Sequence, residues 1–284
     1  LVCKLQKALY GLKQAPLAWN QAIHSFLISF GFTQSESDKC LYVMLSTDIV
    51  MYLVLYVDDI LIAGNNQDKI DELKSKLKQR FKIKELGEPK TFLGIQISRN
   101  EEEMCLSQTT YLQNLLTRFN MQDCNPAKTP MEVKLEIKGG KPTDKPCREV
   151  IGCLMYAMIG TRPDLSAVVN FLSRYQNNPT EELWKCLKRV LRYIKGTINL
   201  KLCYRKRQQS DILLAYADAN WNIKEDSRST SGYLIQVFEN TVCWATKKQS
   251  TVALSSTEAE YVALATAAAE LLWLKYLMED LNIS

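Results

Sequence analysis

One histidine, His24, serves a chain of 284 residues, and that scarcity narrows the chemistry from the start. Zinc is held by closely spaced Cys and His ligands, yet the nine cysteines lie at irregular intervals with no Cys-x-x-Cys pair. Such scattered cysteines read as reduced core residues of an intracellular protein. No stretch approaches eighteen uncharged apolar residues, and the N-terminus has no basic-then-apolar leader, so neither a membrane partner nor a secretory signal is expected. Internal repeats and low-complexity tracts are absent as well. The chain opens at Leu1 rather than a methionine, which points to a processed product or a fragment. What remains is ordinary for a soluble globular chain: 46% hydrophobic, 24% charged, formal charge +5. That charge permits an anionic partner without requiring one. The length accommodates two domains and a sizeable core.

Against this background "LVLYVDDILIAG" (53–64) stands out. Two adjacent aspartates interrupt an apolar run, and each disfavours ionisation of the other. Either Asp58 and Asp59 sit at a solvated turn, or a cation holds them. Apolar β-branched runs on both sides predict a hairpin with the acidic pair at its tip. There both carboxylates can approach one site, and hard oxygen ligands suit magnesium. An acidic turn in a core hairpin is the plainer alternative.

Elsewhere, periodicity after Pro16 predicts a helix that Gly31 stops. Residues 41–45 and 49–56 read as strands, 68–81 as an amphipathic helix and 91–98 as a strand. Helices follow at 111–119, 149–160, 164–175 and 182–196. The Pro- and Lys-rich stretch 125–146 reads as a linker or exposed excursion. Strands are expected near 212–218, 232–238, 241–246 and 251–254, then a long Ala- and Leu-rich helix opened by "SSTE" (255–258), a capping-box spacing.

Two further constellations carry chemistry. Asp218 ends an apolar strand, and Glu260 falls near the start of the long helix, so the two acids can share a divalent cation. Glu260 is equally suited to the positive end of the helix dipole. The segment 185–209 holds nine basic residues. Lys185, Lys188, Arg189, Arg192 and Lys195 recur on one helical face, a pattern that fits a phosphate backbone or simply a solvated surface.

Read together, "KALYGLKQAPLAW" (7–19), "YVDD" (56–59), "FLGI" (92–95), "TRPDL" (161–165), "YADANW" (216–221), "STSGYL" (229–234) and "KKQSTVALSSTEAEYVAL" (247–264) resemble, in this order, the Pol polyprotein of copia-type long-terminal-repeat retrotransposons. The resemblance implies an α+β chain: a partial reverse-transcriptase palm (1–105), a thumb and connection-like helical region (106–207), and the N-terminal half of a ribonuclease H-like α/β domain (208–284). It implies an RNA-directed DNA polymerase with ribonuclease H, working by two-metal phosphoryl transfer with Mg2+, or Mn2+ in its stead. Asp58, Asp59, Asp218 and Glu260 match catalytic metal ligands, and Gln14 lies in the segment lining the nucleotide pocket. Phe92, Leu93 and Gly94 match the hairpin that grips the primer. Lys185, Lys188, Arg189 and Arg192 would touch the template-primer. The implied partners are an RNA template, a DNA primer, their hybrid and deoxynucleoside triphosphates, with the cytoplasm as the default compartment and the nucleus as the other.

The family pattern also has an aspartate upstream of "YGLKQAP" and further acids after the long helix. Only nine residues precede Tyr10, none acidic. This polypeptide alone is therefore expected neither to polymerise nor to cleave efficiently. The alternative function is a non-catalytic nucleic-acid-binding remnant.

Overall fold

A computed structural model describes residues 9, 11–133, 135–137, 139–206, 212–221 and 228–283. Lys4 and Lys7, and residues 207–209 at the end of the basic run, lie outside them. The chain packs as two units: residues up to Pro89 together with Leu272 onward, and Lys90–Leu271.

The first unit begins with helix α1 (Ala15–Phe30), with Pro16 in its first turn and Gly31 as C-cap at φ 111°. That left-handed value is why glycine stands there. Four antiparallel strands follow in spatial order: β1 (Thr33–Gln34), β2 (Leu41–Leu45), β3 (Val50–Tyr56) and β4 (Asp59–Gly64). Helix α2 (Gln67–Arg80) starts at Asn66, whose side chain accepts from the Lys69 N–H. Alternation along the strands sorts their residues by face. Tyr42, Met44, Met51, Leu53 and Leu55 turn toward Ile23 and Leu27 of α1 and Leu73 and Leu77 of α2, which together form the core. The other face meets the chain end: Tyr52 donates to the Leu281 carbonyl, while Asp280 accepts from the Ser35 hydroxyl at 2.6 Å and the Ser37 N–H at 3.0 Å.

The second unit has two sheets and a helical core. One sheet runs β5 (Thr91–Phe92), β6 (Ile95–Arg99), β7 (Glu103–Ser107), β8 (Leu202–Arg205), all antiparallel. The 91–99 hairpin, expected with the palm, therefore pairs within the second unit. Between β7 and β8 lie α3 (Thr109–Arg118), α4 (Cys147–Gly160), a 3-10 turn at Pro163–Leu165, α5 (Ser166–Ser173) and α6 (Glu181–Gly196). Leu183, Leu187, Val190, Leu191 and Ile194 of α6 are fully buried among them. Each such side chain contributes roughly 2 kcal/mol by leaving water. A three-stranded antiparallel sheet, β9 (Leu213–Asn220), β10 (Thr230–Val237) and β11 (Asn240–Lys248), has β10 at its centre. The last element is α7 (Ser256–Asp280).

Several expectations are corrected. Cys105 and Cys203 stand opposite one another on β7 and β8 and are joined by a disulfide. They are not reduced, so cysteine usage no longer argues for a reducing compartment. The segment holding Cys203 is a strand; its basic residues hid the pattern. Residues 251–254 form no strand: the chain turns there into the α7 cap, where Ser255 accepts from the Glu258 N–H and the Glu258 carboxylate takes the Leu254 N–H. The 164–175 helix divides into the 3-10 turn and α5. The stretch 125–146 is no free linker but a strap on α6. Its Ala127 N–H donates to the Arg192 carbonyl, its Ile137 is buried in the helical core, and its Pro142 bridges Thr180. The expectation that no stretch approaches eighteen uncharged apolar residues stands: α7 is long and apolar enough to cross a membrane by length and composition, but Glu258, Glu260, Glu270, Lys275, Glu279 and Asp280 interrupt it.

Candidate functional site

Among the described residues, chemistry-bearing side chains gather at four places, one in the first unit and three in the second. At the first, β3 and β4 pair through Tyr56 and Asp59, which leaves Val57 and Asp58 as a two-residue turn. Val57 has φ 54°, a left-handed conformation that costs a β-branched residue of order 1–3 kcal/mol. The helix α1 helps to hold it: the Trp19 indole N–H donates to the Val57 carbonyl, and the Trp19 ring meets Phe81 edge-on at 5.4 Å. Ile60 packs into the core, so its neighbour Asp59 turns to the opposite face. Both aspartates are exposed. The burial that the apolar run suggested is thereby avoided: the carboxylates are exposed at the end of the hairpin. Gln14 is the exposed N-cap of the helix that carries Trp19.

The second place is an open cleft of about 520 Å³ lined by Ala217, Ser256, Thr257, Glu260, Tyr261 and Leu264. Glu260 lies in the second turn of α7. Ala217 contributes the wall from β9, and alternation turns the next residue, Asp218, toward the other face of that strand. Asp218 pairs with Gly232 of β10 and is exposed on an edge strand. The structure thus brings Glu260 into the cleft, with Asp218 at the sheet edge one residue from its lining.

The third is the "FLGI" hairpin. Phe92 pairs with Ile95, and the turn residues Leu93 and Gly94 have φ 50° and 79°. Tyr156 of α4 donates its hydroxyl to the Leu93 carbonyl at 2.7 Å, and a Cβ on Gly94 would collide with that hydroxyl. Tyr156 is itself braced edge-on by Tyr111 at 4.7 Å. Conformation and close approach both require glycine at this position.

The fourth is the basic face of α6. Lys185 and Lys195 are exposed. Arg189 instead donates to the Glu132 carboxylate at 2.9 Å and to the Thr129 hydroxyl at 3.0 Å, while Arg192 donates to the Asn125 carbonyl. The strap thus holds two of the expected duplex-binding cations.

Metal fit differs among these sites. Magnesium is commonly held by one or two carboxylates plus substrate phosphates, and the exposed Asp58–Asp59 pair matches that donor set. Among the described residues, the one group of three ligand-type side chains within reach of each other is Glu103, Cys105 and Cys203. There the sulfurs are joined in the disulfide, and Glu103 is paired with Arg205.

A reverse transcriptase (RNA-dependent DNA polymerase) family model matches residues 1–133. The retrovirus-related Pol polyprotein from transposon RE1 of Arabidopsis thaliana is 42% identical over 99% of this chain, and that from transposon TNT 1-94 of Nicotiana tabacum is 38% identical over all of it. A protein ascribed to transposon Ty5-1 of Saccharomyces cerevisiae is 32% identical over 92% of this chain and 87% of its own length. The chain belongs to the Pol polyprotein family of copia-type retrotransposons. It spans about a fifth of the length of the two plant relatives just named (19% and 22%). No solved structure matches it.

Sequence reasoning missed Trp19 and Tyr156 as supports of the acidic turn and the "FLGI" turn. Trp19 lay inside a quoted motif but read as one more apolar helical position. Tyr156 lies 63 residues from its acceptor, and no local pattern signals that pairing.

Proposed function

We propose that this chain is the central segment of a retrotransposon RNA-directed DNA polymerase followed by ribonuclease H. In this reading the β1–β4 sheet with α1 and α2 is part of the palm, α3–α6 supply thumb and connection, and β9–β11 with the start of α7 are part of ribonuclease H. The substrates would be an RNA template paired with a DNA primer, deoxynucleoside triphosphates, and the RNA–DNA hybrid. One observation carries the reading: two adjacent carboxylates stand exposed at the tip of a hairpin whose strained turn is tied to a helix by Trp19.

Asp58 and Asp59 would hold Mg2+, which when bound offsets phosphate charge and lowers the barrier to attack by a primer hydroxyl. The protein's own part is positioning. Trp19 fixes the turn backbone, Tyr156 fixes the "FLGI" turn against which a primer would lie, and Lys185 and Lys188 offer charge to a duplex backbone. Glu260, in its cleft, would serve hydrolysis of the RNA strand, whereas Asp218, on the other face of β9, does not share that cleft with it.

Primer extension on an RNA template with magnesium, beside an Asp58→Ala, Asp59→Ala control, tests this. Extension that the control abolishes supports the polymerase reading; extension that survives the double substitution overturns it. A second reading, a nucleic-acid-binding remnant without chemistry, is favoured by one feature. Among the described residues, neither acid pair belongs to a group of three ligand-type side chains. It predicts salt-dependent hybrid binding that is unchanged by the same two substitutions.

A further inference from the structure

The strap over α6 does more at Arg189 than tie the chain down. Its two ends are well anchored. At one, Pro126 lies so close to Gly196 that a Cβ there would be 3.0 Å from it, and the Ala127 N–H reaches the Arg192 carbonyl. At the other, Ile137 is in the helical core. Between these anchors Lys128, Thr129, Met131, Glu132 and Val133 are exposed. Thr129 and Glu132 rest on α6 through Arg189.

That hold is weak on two counts. The Glu132–Arg189 pair is open to solvent, with side-chain exposures of 66% and 32%, and ion pairs this exposed add little stability. The Arg189 Nε is buried with no hydrogen-bond partner, so the guanidinium is held with one of its donors unsatisfied. A phosphate matches the planar guanidinium fork at least as well as a carboxylate does, and charge-assisted pairs of this kind are the strong ones.

We propose that the middle of the strap is an electrostatic guard: Glu132 occupies Arg189 until a backbone phosphate of a bound nucleic-acid duplex takes its place. The proposal rests on the reading of the α6 basic face as a duplex-binding surface. In the guarded state the face offers mainly lysines, whose charge is not directional. Exchange of Glu132 for phosphate adds a bidentate contact at mid-helix, one turn from Lys185 and adjacent to Lys188. The acid also screens this face against anions that bind too weakly to displace it.

The test measures binding of the whole chain to a fluorescein-labelled RNA–DNA hybrid by anisotropy, from about 50 to 200 mM salt. Glu132→Gln is expected to tighten binding several-fold and to steepen the log–log salt slope by roughly one, the signature of one more phosphate contact. Thr129→Val loosens the same contact without changing net charge and should tighten binding in the same direction by less. In an Arg189→Gln background the effect of Glu132→Gln should vanish. Equal tightening in that background would mean a general gain of positive charge and would overturn the guard. Lys185→Gln and Lys188→Gln separate the guard from the reading beneath it. If they weaken binding while Glu132→Gln changes neither affinity nor slope, the face binds duplex and the guard is wrong. If none of the α6 substitutions matters, the face does not bind duplex and both fall. Matched thermal melts of all variants exclude misfolding as the cause.

Discussion

The Trp19 indole N–H donates to the carbonyl of Val57, the residue between Tyr56 and the acidic pair. A helix residue thereby controls the backbone of a turn 38 positions away. Trp19→Phe keeps an aromatic edge against Phe81 but removes the donor. Stability should fall by about 1 kcal/mol, the ordinary net worth of one hydrogen bond, read as a lower urea midpoint. Amide exchange at Asp58 and Asp59 should quicken more than exchange in the middle of β3. Unchanged exchange at the turn would show that Trp19 does not hold it.

Val57 itself offers the converse experiment. Glycine at this position relieves the left-handed strain of a β-branched side chain but adds chain entropy to the unfolded state. Since strain of about 1–3 kcal/mol is set against an entropic cost of about 0.5–1, Val57→Gly should raise stability by up to about 2.5 kcal/mol. A loss of stability would mean the valine side chain makes contacts that outweigh its strain.

Arg162 is 1% exposed, and its guanidinium forks onto Asp164 at 2.9 and 2.7 Å while also reaching the Thr197 hydroxyl and carbonyl. Tyr193 donates to the same carboxylate. Burial pushes the Asp164 carboxyl up, but the Arg162 hydrogen bonds and charge, helped by Tyr193, win and hold it below the usual range. A depressed folded pKa means the stabilisation is fully present above the unfolded value of about 3.9 and is lost as pH falls through the lower folded value. Asp164→Asn should therefore flatten the acid limb of the stability curve. Arg162→Met, which leaves the acid without its cation, should cost about 3 kcal/mol. A variant as stable as the parent would refute the network's structural role.

Gly94 combines φ 79° with a neighbouring phenol that would collide with any Cβ. Gly94→Ala should displace Tyr156 from the Leu93 carbonyl and destabilise the second unit by about 2 kcal/mol. Tyr156→Phe, which loses the bond without the clash, should cost about 1 kcal/mol. Thermal melts of the pair distinguish the two effects. Equal losses would show that the clash is absorbed.

The disulfide closes a separation of 98 residues. Replacing Cys105 and Cys203 together by serine should lower stability by about 2–4 kcal/mol. Mass spectrometry of a non-reduced digest should find the two cysteines on linked peptides. Free thiols at both positions in protein purified without reductant would overturn the pairing.

Legibility in the sequence followed the range of the interactions. The helix from Pro16 to Gly31, the hairpin around Asp58 and Asp59, and the α7 cap were readable because capping residues and period-two patterns act within a few positions. The strand at 202–205 was not. Its apolar signal is short, it sits in a run of lysines and arginines, and its partner Glu103–Ser107 lies about a hundred residues earlier. The basic stripe of α6 was correctly read as helical, but nothing local reveals that Arg189 and Arg192 face a strap arriving from residues 125–132. Likewise the alternation that turns Asp218 away from Ala217's wall of the cleft depends on which face of the sheet α7 covers, a fact of packing rather than composition.

The four-stranded sheet that begins at Thr91 has an implication for biosynthesis. Its last strand leaves the ribosome about a hundred residues after the third, an interval on the order of ten seconds at ordinary elongation rates. Throughout that interval β7 exposes an unpaired edge, and the Cys105 thiol has no mate, while α3 through α6 are being made and packed. A nascent chain paused before Leu202 would carry that open edge, a place where two growing chains can pair with each other. Completion of this sheet is timed by the arrival of four residues.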